Sequence, residues 1–130
     1  MKIYLAARYL RRDELREYRK QLHALGHEVT SRWLNERKSA AATVAEVTEA
    51  EHIFIARRDL EDIEVADMFV VFAGEPRGQK RGGHHVELGY ALAKGKQCIA
   101  LEERENTFYY LPELKFFTDF EEFMEDLNGN

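Results

Sequence analysis

The sequence predicts an α/β domain built on a parallel sheet with helices on both faces. Three observations lead there. KIYLAA, ADMFVVFA and KQCIAL are short, nearly unbroken apolar runs of the kind that fill buried parallel strands. Segments with helical spacing of apolar residues lie between them. The two kinds of segment alternate to the C-terminus.

Each element has its own signal. KIYLAA (2–7) reads as the first strand. Leu15, Tyr18, Leu22 and Leu25 share one face of a helix over 12–25, with Asp13 and Glu14 in its first turn and Gly26 as its stop. HEVTSRW (27–33) reads as a second strand, and 34–42 as a loop. A long helix is expected over about 43–63, with Val44, Val47, Ala50 and Phe54 along its apolar stripe and Leu60 and Ile63 near its end. ADMFVVFA (66–73) is the most apolar strand, hence central, with Asp67 tying the turn before it. A basic, glycine-rich loop (74–83) leads into a helix over 84–95 that ends at Gly95. KQCIAL (96–101) and LKFF (114–117) supply the last strands, and a helix over 118–127 starts from Thr118 and Asp119. The outcome is a single-domain, doubly wound sheet of about five strands, a flavodoxin-like or Rossmann-like three-layer sandwich over residues 1–130. Right-handed crossovers place the loops after the strands on one edge, which directs attention to 6–10, 73–83 and 101–110 as the ligand-binding side.

Composition narrows the function. The chain has 130 residues, 45% of them apolar, and no linker or repeat divides it. A formal net charge of −5, from 19 basic and 24 acidic residues, argues against general nucleic-acid binding, which needs a basic footprint. Arg8–Arg12 and Arg77–Arg81 are local basic clusters, ordinarily solvated surface but able to hold a small anion. No apolar run approaches the ~20 residues that span a bilayer, and MKIYLAARYL is too soon interrupted by charge for a signal peptide, so a cytoplasmic location is expected. Cys98 is the single cysteine and reads as a buried strand residue.

Glu87 is the most unusual residue. It sits in VELGYALA among apolar residues and glycine, behind a glycine-rich loop near a helix N-terminus. Burying a carboxylate is unfavourable unless compensated, and the helix end favours its ionised form, as a nucleophile requires. The ordinary alternative is a surface glutamate in a first helical turn; the sequence leaves both open. Asp59 reads as one acid on a solvated face beside Glu61, Asp62 and Glu64. Tyr4 reads as a core tyrosine. The 74–83 loop could cradle an anion at the next helix, through Gly82 and Gly83, although it is neither a P-loop nor a dinucleotide fingerprint. No metal site or cofactor is expected: His84 and His85 are adjacent and so point apart, and no HExxH or second cysteine is present.

Together these segments resemble the nucleoside 2-deoxyribosyltransferase family, which includes related deoxynucleoside 5′-monophosphate N-glycosidases. KIYLAA with Tyr4, RRDLEDIEVADMFVVF and RGGHHVELGYALAKGK carry the resemblance over roughly residues 2–101. It implies Glu87 as the nucleophile that attacks the sugar C1′. It implies Asp59 as the acid that assists the leaving base, and Tyr4 as the residue that positions nucleophile or sugar. Two carboxylates with divided roles are the logic of retaining glycosidases. The family pattern usually has an aspartate six residues before the glutamate; here Arg81 stands there. The glycine- and serine-rich loop after the first strand is here ARYLRR. A substrate phosphate would therefore be met by Arg8, Arg81 or backbone amides, the arginines offering forked donors. The resemblance also implies a homo-oligomer, at least a dimer, with a shared site, to which RENTFYYLP could contribute Asn106 and Tyr109. The implied ligand is a nucleoside or nucleotide. A non-catalytic nucleotide-binding or sensor module on the same fold is the alternative; a plain interaction domain would leave Glu87 unexplained.

Overall fold

The computed structural model describes residues 1–36, 47–74 and 82–129. Its first strand, β1 (Lys2–Ala6), is buried from Ile3 onward. A 3-10 turn (Tyr9–Arg11) leads into α1 (Arg12–Ala24), which buries Leu15 and Leu22. There follow β2 (Glu28–Val29), a 3-10 turn (Arg32–Asn35) and α2 (Glu49–Glu64). β3 (Met68–Phe72) is buried at every position, as expected of the central strand. α3 (Gly83–Ala93), β4 (Gln97–Leu101), β5 (Leu114–Phe117) and α4 (Phe120–Gly129) complete the domain.

The five strands form one parallel sheet in the order β2-β1-β3-β4-β5. This is the flavodoxin-like order, and the direction of winding reverses between β1 and β3. A reversal of this kind opens a crevice beyond the strand carboxyl ends. Side chains alternate across the sheet, so Phe69 and Phe72 of β3 serve opposite faces. On one face Phe72 stacks on Tyr18 of α1 with ring centroids 5.5 Å apart, and Tyr18 stacks on Phe120 of α4 at 4.0 Å. On the other, Phe69 stacks at 5.7 Å on Tyr4, its registered partner in β1, beneath α2 and α3.

Two ties fix the ends of the strands. Asp67 donates its backbone N–H to the Lys2 carbonyl (2.7 Å) and accepts the Lys2 N–H on its carboxylate (2.9 Å), as the sequence suggested. At the opposite edge Glu102 adopts φ 82°, a left-handed conformation that ordinary residues rarely take. Arg11 grips both its carboxylate oxygens at 2.7 Å, and the Gly74 N–H donates to it at 2.9 Å. A Cβ on residue 74 would lie 2.7 Å from Glu102 Oε1, so glycine is required there by close approach.

Two expectations are corrected. The second strand does not run to Trp33; it stops at Val29, and the chain coils into the 3-10 turn. Side chains replace the ladder beyond that point. Ser31 Oγ accepts the Leu5 N–H at 2.7 Å, and Trp33 Nε1 donates to the Leu5 carbonyl at 2.8 Å. The edge of β1 is thus satisfied without a backbone partner. The second helix begins at Glu49, where Thr48 accepts the Glu51 N–H, so Val47 precedes it; Val44 lies outside the described residues. Its expected stripe is also misplaced, since Ala50 and Phe54 are exposed. The inward face carries Ile55, Arg58, Asp59 and buried Asp62, joined near the helix end by fully buried Ile63 and by Leu60, which packs on the core as expected.

Candidate active site

The switch between β1 and β3 positions the site. Beyond β1 lies a cavity of about 260 Å³. Ala7, Tyr9, Trp33, Val47 and Ile55 supply an apolar and aromatic wall, and Tyr4, Glu36, Arg58, Asp59 and Glu87 supply polar groups. Tyr4 comes from a central strand, Asp59 from the inward face of α2, and Glu87 from the second turn of α3. Three separate stretches of sequence therefore deliver the three expected catalytic residues to one cavity.

Tyr4 is both of the things the sequence allowed. Its ring is fully buried against Phe69, and its hydroxyl donates a hydrogen bond to the Glu87 carboxylate. Its own pKa is raised well above the ordinary value, by burial first and then by the charges of Glu87 and Asp59, so it stays a donor. Burial pushes Glu87 up to about 7; the Tyr4 hydrogen bond and Arg58 pull it down, and the Asp59 charge pushes it up. Asp59 is pushed up to about 6, again by burial, against which Arg58 acts as the main opposing charge. The pair therefore retains a proton close to neutral pH, the condition for one carboxylate to act as base or nucleophile while the other acts as acid.

Other expected residues are placed differently. Arg8 stands at the start of the first 3-10 turn, between cavity-lining Ala7 and Tyr9. Gly82 takes φ 81° just before α3, and Gly83 is the helix's first residue, so the glycine turn into the helix is as read. Arg81 and the rest of the basic loop, residues 75–81, lie outside the described residues. Asn106 accepts the Phe108 N–H at 3.0 Å and so caps a 3-10 turn (Thr107–Tyr110). Tyr109 is buried, its hydroxyl 3.5 Å from Glu105. Neither lines the cavity.

His84 and His85 do not point apart. His84 Nε2 lies 2.9 Å from one oxygen of Glu105 and His85 Nε2 3.4 Å from the other, with ring centroids 4.5 Å apart. The donor atoms of His84, His85 and Glu105 all lie within 4.8 Å of one another, so the three together have the spacing to hold an ion, which the sequence reading did not foresee. The chain after β4 folds back over the start of α3, and that return cannot be seen in the HH pair. Cys98 is buried, and burial raises its thiol to about 11, which makes it inert as a nucleophile. Glu36, Arg58, Trp33 and Tyr9 are cavity residues that sequence reading missed. The Arg57–Arg58 pair directly before Asp59 was the available signal.

The sequence matches the family model for nucleoside 2-deoxyribosyltransferase over residues 3–128. The chain belongs to this family. Members of the nucleoside 2-deoxyribosyltransferase family cleave or transfer deoxyribosyl N-glycosidic bonds. No curated protein sequence matches the chain. Among solved structures, it is similar to a 2-deoxyribosyltransferase from Bacillus psychrosaccharolyticus, with 23% identity and TM-score 0.73, covering 100% of this chain and 92% of that one. It is also similar to the CMP N-glycosidase BcmB of Clostridium botulinum, with 17% identity and TM-score 0.59, covering 100% of both chains. At these identities the likeness is one of fold. Among the described residues, no helix is long and apolar enough to cross a membrane.

Proposed function

We propose that the protein cleaves the N-glycosidic bond of a 2′-deoxynucleoside or its 5′-monophosphate through a covalent deoxyribosyl–Glu87 intermediate. The observation that carries this is the Tyr4 hydroxyl held on the Glu87 carboxylate in the cavity that Asp59 also lines. Ionised Glu87 attacks C1′ as the bond to the base breaks, and Asp59 gives its proton to the departing base; with Glu87 at about 7 and Asp59 at about 6, this is the less populated placement of the one proton the pair shares. Tyr4 holds the attacking oxygen in line. Asp59, now ionised, takes a proton from the acceptor in the second step. A second base as acceptor gives transfer, and water gives hydrolysis. The aromatic wall of Tyr9 and Trp33 suits a stacked base, and Arg8 and Arg81 are the candidates for a 5′-phosphate.

The working protein is an oligomer, at least a dimer, in the cytoplasm. Exposed Ile53 and Phe54 on α2 and Val86 on α3 support a covered surface; exposed Asn106 belongs to the loop offered to a neighbouring site, whereas Tyr109 is buried in this chain's own core and is not available to one.

Base release from each deoxynucleoside and deoxynucleoside 5′-monophosphate, with and without a second free base, tests the reading by chromatography. Glu87→Ala is expected to lose activity by several orders of magnitude with its fold intact. Absence of base release by the wild-type protein, or full activity in Glu87→Ala, overturns it.

A further inference from the structure

The wall of the cavity contains a charge arrangement that burial and packing alone do not require. Arg58, whose side chain is only 10% exposed, donates from Nε and Nη2 to one oxygen of Asp59, at 3.1 and 3.0 Å. The same Nη2 also meets Glu36 at 2.6 Å. Two carboxylates, each 22% exposed, share one guanidinium. A structural ion pair needs one acid; here a second competes for the same nitrogen. Glu36 is held in place to do so. Arg16 of α1 donates to the carbonyls of Leu34 (2.6 Å) and Glu36 (2.7 Å), which fixes the end of the 3-10 turn against α1.

We propose that Arg58 and Glu36 form a tuning pair for Asp59: Arg58 positions the Asp59 carboxylate, and Glu36 governs how much of the guanidinium charge reaches it. Neither residue is assigned contact with the reacting atoms; both act through Asp59. The role assigned to Asp59 in the reaction rests on the function proposed above, whereas the tuning itself does not. The other groups around Asp59 are few. On α2 Asp62 adds negative charge, itself paired with Arg32 at 2.8 Å. Tyr4 from β1 and Glu87 from α3 complete the surroundings. Arg58 is the main group that opposes burial at Asp59, while Glu36 works with burial. The two side chains therefore pull in opposite directions, as charges of opposite sign must.

The test is a carbon-13 NMR titration of the Asp59 carboxyl carbon, assigned with Asp59→Asn, in wild type, Arg58→Gln and Glu36→Gln. Arg58→Gln is expected to raise the midpoint by about one unit or more, and Glu36→Gln to lower it by a smaller amount. Loss of a merely structural contact would not move the midpoint in opposite directions for the two variants. If Arg58→Gln does not fold, as judged by circular dichroism, the downward shift in Glu36→Gln decides alone. An unmoved midpoint, or shifts of the same sign, overturns the proposal. The rate profile of base release against pH is measured alongside, and its Asp59 limb is expected to follow the NMR midpoint. If wild type releases no base, the function proposed above falls while the titration still decides the tuning pair.

Discussion

Tyr4→Phe isolates one hydrogen bond at the centre of the site. The ring and its stacking on Phe69 are kept; only the hydroxyl that donates to Glu87 is removed. A hydrogen bond to a charged group is worth roughly 1.5–3 kcal/mol, and one pKa unit is about 1.4 kcal/mol. Loss of the donor should therefore raise Glu87 from about 7 by roughly one to two units. At pH 7 about half of the wild-type carboxylates are ionised, against roughly a tenth to a hundredth in the variant. The expected result is a kcat/KM for base release lower by roughly 5- to 50-fold at pH 7, recovering most of the difference above about pH 9. The assay is initial-rate base release from pH 5 to 10 on wild type and Tyr4→Phe. A variant profile that overlays the wild type in height and position would refute the role of the hydroxyl.

Two further outcomes concern stability. Glu87 releases its proton at about 7 in the folded chain and at 4.5 in the unfolded one, so between these values the unfolded state binds fewer protons and stability falls as pH rises. Glu87→Gln lacks that slope and should be more stable than wild type at pH 8 by roughly 2–3 kcal/mol, the gap closing by about pH 4.5; urea unfolding at both pH values checks this, and a gap independent of pH would contradict it. Gly74→Ala forces a Cβ to within 2.7 Å of Glu102, which Arg11 prevents from yielding, and should lose about 1–3 kcal/mol in the same assay. Unchanged stability would show that Glu102 is free to move.

Much of the fold is legible because strands and helices here follow their apolar periods. ADMFVVFA could only be a central strand, and LKFF coincides with β5. The second strand misled because Val29, Thr30 and Trp33 have strand character, while the bonds that end it come from Ser31 and Trp33 side chains reaching Leu5. Such tertiary bonds leave no mark in a local pattern. Glu87 was conspicuous as an acid among apolar residues. Asp59 was hidden because Glu61, Asp62 and Glu64 surround it in sequence, and only the turn of α2 separates the acid facing the cavity from those facing elsewhere. Arg58 and Glu36 lie 22 residues apart and show their connection only once folded. The meeting of His84 and His85 on Glu105 was invisible for the same reason.

The placement of Tyr4 has a consequence for how this protein fails and how it can change. The residue that orients the nucleophile is also a fully enclosed member of the sheet, in register with Phe69. Alignment of the reacting carboxylate therefore melts with the domain as one cooperative unit instead of fraying ahead of it. Substitution is channelled in the same way. The half of the cavity formed by Tyr4 and Glu87 is anchored in the core, as is Trp33, so divergence in what the protein accepts falls to the opposite wall, where half-buried Tyr9 sits on a turn and Ile55 on a partly exposed helix face.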